Sequence, residues 1–417
     1  MREMIPVLML FLSIPGQGTA QSLPERSWFP KAPPLPQPRG EVINVATAEE
    51  LAKAAERIKP GGTILVSDGH YLMGQYFELR VDNVTLRGAS GNRSRVVIDG
   101  AASRHGELIG ISECSGVTIA DLTIQNVRWN GIKINSDREP GVHRVTIRNC
   151  AIHNVWQRGI KVVRSPQWKS HGCVIEYCLF YNNRPKRYSD DPDDTQETFG
   201  GNYIGGIDAM DAIGWTIRDN VFIGLRGRTF EGPGAVFLWF ESQDSVIERN
   251  VIIDCDVGIS LGNAHKPEDI GFHCRGFIAR NNMITRSPEQ AIAAAYTEDC
   301  LILHNTVHDP ENRRRRSIRA VGSNSGLHIE NNLISGFPLR IESSENVRMK
   351  GNITRDDARE WFVNPTEGNL RLRAAIPGIV DAGQPLSWVI DDIDRQQRDG
   401  HPDIGSDEWS GGKTPAR

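Results

Sequence analysis

The chain has 417 residues, with Lys+Arg 48 set against Asp+Glu 52 and a formal net charge of −4. A balance this close argues against a nucleic-acid binder, which needs a strongly basic face. Beyond the N-terminus no apolar run is long enough to span a membrane, so the sequence predicts one large exported domain acting as a monomer.

Residues 1–20 read as a secretory signal. Arg2 supplies the positive end, Ile5 to Ile14 the apolar stretch, and Gly18-Thr19-Ala20 a small-x-small cleavage site. The expected location is secreted or periplasmic. Residues 21–39 carry Pro24, Pro30, Pro33, Pro34, Pro36 and Pro38, which predicts a semi-rigid linker without packed structure. Thr47 and Glu50 form a capping box ahead of AEELAKAAERI. This short helix is expected to close the N-terminal end of the main domain, where a bare sheet edge would invite aggregation. Thr63-Ile64-Leu65-Val66 then starts the first strand of that domain, expected over residues 40–380.

From Val117 onward the chain repeats itself: VTIADLTIQNV, VTIRNCAIHNV, CVIEYCLFYNN, WTIRDNVFIGL and SVIERNVIIDC share one template. Its apolar anchor recurs at Ile119, Ile147, Ile175, Ile217, Ile247, Ile278, Ile302, Ile329 and Met349, in steps of 20 to 42 residues. Short alternating strands at such a period indicate a solenoid whose coils stack about 4.8 Å apart. Three places after the anchor stand Leu122, Cys150, Cys178 and then Asn220, Asn250, Asn281, Asn305, Asn332 and Asn352. A side-chain amide both donates and accepts, so stacked asparagines can bond coil to coil. A second register starts at Gly131, Gly159, Gly206, Gly234, Gly258 and Ala291. One place later Ile132, Ile160, Ile207, Ala235, Ile259 and Ile292 should face the core, and three places later Ile134, Val162, Ala209, Phe237, Leu261 and Ala294 should join them. Cys150 and Cys178 share a column, which reads as stacked thiols, with a disulfide as the alternative.

On these repeats, residues 41 to 380 resemble the right-handed parallel β-helix superfamily, which includes pectate lyases. The implied fold is all-β: a single-stranded right-handed parallel β-helix of roughly ten coils with a short N-terminal capping helix. The run ATAEELAKAAERIKPGGTILVSDGHY is similar to the opening of family 6 polysaccharide lyases and of other exported β-helix proteins. DIDRQQRDGHPDIGSDEW, within 381–417, resembles a closing segment of secreted β-helix proteins, its acidic residues bonding to the last coils. The RxPxxR signature of classical pectate lyases is absent.

The outward column between the two apolar ones reads Lys133, Lys161, Asp208, Val236, Ser260, Ala293, with Asn135 beside Lys133. Arg158, Trp129 and Trp156 fall at one edge of this face, and Asp211, Trp239, Glu241 and His265 follow the strands. Aromatic faces stack on sugar rings and cations suit uronate carboxylates, so the expected partner is a polysaccharide. Neighbouring lysines repel, which favours a neutral amine on one of them. Lys161 then reads as general base, Arg158 or Lys133 as the cation on a substrate carboxylate, and Asp208 as the group orienting a lysine. The substrate-binding set is Trp129, Asn135, Trp156, Asp211, Trp239, Glu241 and His265. The alternative is an ordinary Lys161–Asp208 ion pair on a solvated face. The 42-residue step from Ile175 to Ile217 holds the insertion RPKRYSDDPDDTQETFGGNY. Its carboxylates could bind calcium or pair with the basic half of the same loop. Three functions remain open on the sequence: a lyase on an acidic glycan, a hydrolase using Asp208, Asp211 or Glu241, and a non-catalytic glycan-binding protein.

Overall fold

The computed structural model describes residues 22–344 and 346–411. The signal-like segment lies outside them. Successive coils add one strand to each of three long sheets, named A, B and C here. Sheet A has 12 strands, from Val42–Val45 to Arg348–Lys350. Sheet B has 11, from Gly69–Leu72 to Ile353–Arg355, and sheet C has 10, from Phe77–Leu79 to Arg340–Ile341. Pairing within all three is parallel, as coil stacking requires. The expected all-β solenoid is what the chain forms. The inward columns close over one apolar core that runs the length of the coils.

Helix α1 (Ala48–Arg57) sits at the N-terminal end. Thr47 Oγ1 accepts from the Glu50 N–H at 3.2 Å. The Glu50 carboxylate reaches the Ala46 N–H at 2.8 Å, one residue earlier than a capping box requires. Leu51, Ala54 and Ala55 form its buried face.

The turn from sheet A to sheet B explains the asparagine column. Each such turn has a left-handed residue: Asp121, Asn149, Tyr177, Asp219, Arg249, Asn281, His304 and Asn331, all at φ between 47° and 60°, and then Gly351 at 66°. The next residue points inward. In the fourth to ninth of these coils it is Asn220, Asn250, Asn282, Asn305, Asn332 and Asn352. Each side-chain amide donates to the carbonyl oxygen of the next at 2.8–3.0 Å. The expected register is therefore corrected by one residue in one coil. Ala279, not Ile278, pairs with Ile247, and Asn282, not Asn281, is in the ladder. Asn281 takes the left-handed turn, which asparagine tolerates better than most residues.

A second correction of one residue falls in sheet C. Ile207 pairs with Val236 and Asp208 with Phe237. Ala235, not Gly234, is thus in the small-residue column, Val236 and Leu238 face the core, and Phe237 faces outward. Gly234 lies at φ 152°, a conformation that L side chains rarely adopt.

Residues 22–39 are not the unpacked linker expected. They hold no helix or strand, yet Phe29 is buried in a cluster with Val221, Val251 and Met283 of sheet B. Arg148 and Arg87 donate to the carbonyls of Pro33 and Pro36 at 2.9 Å. The C-terminal segment runs back along the flank and does more than close the last coils. Arg395 pairs with Asp219 at 2.6 Å, Arg249 with Asp391 at 3.2 Å, and Gly405 N–H donates to Asn331 O at 2.9 Å. All seven cysteines are free and buried. Burial, and then the neighbouring Cys178, pushes the Cys150 thiol well above its ordinary range.

Candidate active site on sheet C

The strand register aligns Glu78, Gly110, Lys133, Lys161, Asp208, Phe237, Ser260, Ala293, Arg319 and Arg340 in one outward column. Lys133 and Lys161 are direct neighbours, as expected. Their ammonium groups do not share one space. Lys133 reaches back to Glu107 at 2.7 Å, and Lys161 reaches forward to Asp208 at 2.8 Å. The repulsion expected between them is thereby relieved, because each lysine has its own carboxylate.

Asp208 is the centre of the face. Its Oδ2 accepts from Arg158 Nε at 2.7 Å and from Lys161 Nζ at 2.8 Å, and its Oδ1 accepts from Trp239 Nε1 at 3.0 Å. Asp208 is 1% exposed, Arg158 2% and Lys161 9%. Burial alone would raise the Asp208 pKa, but Lys161 and Arg158 hold it below the ordinary carboxylate value. It is an anion and not a proton donor, which removes it as the acid of a hydrolase. Two cations on one carboxylate leave this trio with one net positive charge.

The insertion after Tyr181 covers the trio. Lys186, fully buried, bonds Asp191 at 2.9 Å and Asp194 at 2.8 Å. Asp194 also accepts from the N–H groups of Gly201 and Tyr203 at 2.8 and 2.9 Å. A lysine ammonium therefore occupies the point where these carboxylates converge, the place that calcium would take in one of the two readings of this loop. The loop so held lays the Tyr203 ring against the Arg158 guanidinium, 3.8 Å from ring centroid to Cζ. Its basic and acidic halves do pair, with Arg184 bidentate on Asp190 at 2.6 and 2.7 Å, but the Lys186 centre is buried and not hydrated. Among the described residues the one group of three or more acidic, His or Cys side chains close enough to share an ion is Asp392, Asp394 and Asp407 in the C-terminal segment. Arg371 pairs with Asp394, and four hydrogen bonds from Asp394, Gln396 and Glu408 fill Asp392.

The other candidate residues separate into groups. Trp239 joins the trio and stacks on Phe237 at 4.8 Å. Asp211 and Glu241 meet at a lysine that sequence reasoning passed over: Lys169 lies 3.6 Å from Asp211 and 3.5 Å from Glu241. Asp211 also accepts from Ser165 N–H at 2.8 Å, and burial raises its pKa. Asn135 is in a trough of about 260 Å³ beside Lys133, donating to Ser112, Tyr76 and Glu78 at 3.0 to 3.2 Å. Tyr76 stacks on His105 at 4.8 Å on the same trough, and Trp129 packs edge-on to His105. Trp156 is buried at 8% exposure beneath the Arg184 guanidinium, so its ring is not offered to a sugar. His265 is exposed on the loop after sheet C, and its carbonyl bonds the His273 ring at 3.0 Å. Tyr203, Lys169, Tyr76 and Glu107 were not legible, because each comes from a loop or coil outside the aligned repeats.

A sequence model of the family described as right handed beta helix region matches residues 80–334. The chain belongs to that family. No curated protein matches it. Similar solved structures include pectate lyase Pel9A, at 14% identity over 89% of this chain and 97% of that one, with a TM-score of 0.46. A PL6 alginate lyase in complex with a trisaccharide is 15% identical over 77% and 81%, with a TM-score of 0.48. The GH136 lacto-N-biosidase from Eubacterium ramulus is 10% identical over 74% and 68%, with a TM-score of 0.46. These likenesses carry no argument about reaction or sugar. Among the described residues no helix is long and apolar enough to cross a membrane.

Proposed function

We propose that this is an exported polysaccharide lyase that binds an acidic, uronate-containing glycan along sheet C and cleaves it by β-elimination. The observation that carries this reading is the Arg158–Lys161–Asp208 trio, two cations on one buried carboxylate, with troughs on the same face to either side. Loss of one proton from Lys161 leaves a neutral Arg158–Asp208 pair and a free amine in the same place. That amine is the base for the proton at C5 of a uronate. Electrons from that C–H bond form the C4–C5 double bond, the bond to the glycosidic oxygen at C4 breaks, and that oxygen leaves as a hydroxyl by taking a proton from water, while the Lys161 ammonium returns its own to solvent. Arg158, or Lys133 one coil away and held by Glu107 at 2.7 Å, supplies the cation for the carboxylate on which negative charge builds. Asp208 fixes Lys161 through the 2.8 Å bond and is not itself a proton carrier.

The test is incubation with polygalacturonate, alginate, chondroitin and neutral glycans, with and without calcium. Unsaturated products from an acidic glycan, absent with Lys161→Met, are expected. Shorter saturated products would replace this reading with hydrolysis at Asp211 and Glu241. Saturable binding without cleavage would leave a glycan-binding protein.

A further inference from the structure

We propose that the trough on the C-terminal side of the trio is a binding site for an uncharged sugar ring. This deepens the proposed function, because it makes the glycan a mixed one, with a neutral residue some way from the uronate. The trough holds about 350 Å³ and is floored by Ser260 and Ala293, which continue the column that contains Asp208, and by Ala295 two places along the same strand as Ala293. Ser260 and Ala293 are two and three coils from Asp208, about 10–14 Å along the axis.

Three observations select a neutral occupant. Ser260, Ala293 and Ala295 bear no charge, the next residue of the column, Arg319, is paired with Glu342, and the small side chains let a ring approach the backbone. Every charged side chain of the lining is already paired: Arg314 with Glu231 at 2.9 Å and Glu289 at 2.7 Å, and Arg319 with Glu342 at 2.8 Å. The two arginines and two glutamates of the lining cancel, so a uronate carboxylate arriving here would meet no net positive charge, unlike at the trio. The third is Gln290, which lines the trough at 8% exposure and whose carboxamide oxygen has no hydrogen-bond partner. A buried amide without a partner is costly in a folded protein. The oxygen is itself shielded in this structure, and a turn about the last side-chain bonds is what brings the oxygen or the NH2 group to the trough, where a sugar hydroxyl can answer either.

The wall opposite is fixed. Asp256 Oδ2 accepts from the N–H groups of Gly227 and Gly232 at 2.7 and 2.8 Å, which holds Gly232 and Pro233 against the floor. The pocket is thus preformed, as small-ligand sites usually are.

The experiment is calorimetric titration of the full chain with cellobiose, lactose and N,N′-diacetylchitobiose, and with digalacturonate as the charged comparison. Saturable binding of at least one uncharged disaccharide is expected, weakened about three- to tenfold by Gln290→Ala and abolished by Ala293→Trp, which fills the floor. Lys161→Met should leave this binding unchanged while it removes cleavage, so the trough and the lyase reading can fail separately. Absence of binding by all three uncharged sugars would overturn the proposal. So would equal affinity in Gln290→Ala, or digalacturonate binding that Ala293→Trp abolishes.

Discussion

Asn282→Ala tests whether the asparagine ladder holds the coils together. Asn282 is fully buried, and its oxygen accepts from the backbone N–H and the side-chain amide of Asn250, both at 3.0 Å. Its own amide donates to Ile247 O and Asn305 Oδ1, both at 2.9 Å. Alanine strands two buried donors on Asn250 and takes one donor from each of two acceptors. Asn305 Oδ1 keeps its bond from the backbone N–H of residue 282 at 3.1 Å. At about 1–3 kcal/mol per stranded buried donor, the two donors make the loss roughly 2–6 kcal/mol. Asn352 is the internal control, because it ends the ladder and is partly exposed. Water can replace its bonds, so Asn352→Ala should cost about 1 kcal/mol. Equilibrium urea unfolding reads both as a shift of midpoint at constant slope. Equal losses at the two positions, or under about 1 kcal/mol at Asn282, would refute the view that the ladder stabilises by satisfying buried donors.

The same structure sets three further outcomes. Asp208→Ala leaves Arg158 and Lys161 buried without a counter-charge and should cost about 3–5 kcal/mol in urea unfolding. Lys161→Met leaves the Arg158–Asp208 pair intact and should cost under about 1.5 kcal/mol. Burial pushes the Asp256 carboxyl up to about 7 from its ordinary 3.8. The unfolded chain releases that proton near pH 4 and the folded chain near pH 7, so the contribution of this one group to stability falls across the window by about 4 kcal/mol and is level above it. Asp256→Asn should make the pH dependence shallower than the parent's, leaving the share of Asp219, Asp407 and Glu408, which thermal unfolding from pH 4 to 8 will show; an unchanged slope counts against the burial argument. All seven thiols should be inert to a thiol reagent in the native protein and react only on unfolding.

The solenoid was legible because its signal is an average over many coils. One misread residue does not disturb a period supported by Ile119, Ile147, Ile175, Ile217 and Ile247. The site is not averaged in this way. The slip at Gly234 moved Phe237 from the outer face into the core and hid the aromatic stack beneath Trp239. That slip arose because glycine before a strand reads as the small residue of the column, whereas Ala235 holds that place and Gly234 precedes it. Ile278 misled for the opposite reason: the inward residue of its coil is Ala279, smaller than its half-exposed neighbour. Lys161 beside Asp208 was legible from register alone. Tyr203 over Arg158 was not, since its position depends on how Lys186 folds the insertion, and loop conformation has no period to read.

The trio is not something the solenoid needs. The same outward column continues through Phe237, Ser260 and Ala293, and the coils there pair as well as those before them. Uncharged residues therefore suffice at this position for the fold. Burying two cations and an anion carries a desolvation cost that well-packed apolar side chains avoid, and replacing such groups together is often neutral or stabilising by about 1–4 kcal/mol. That the cost is retained here, where neighbouring coils avoid it, supports the proposal that Lys161 and Arg158 carry chemistry. The combined variant Arg158→Met, Lys161→Met, Asp208→Leu separates the two roles. It should fold with stability equal to or above the parent in urea unfolding while losing glycan cleavage altogether. A combined variant several kcal/mol less stable would make the trio a structural strut, and the assignment of catalysis to it would then fail with the fold still intact.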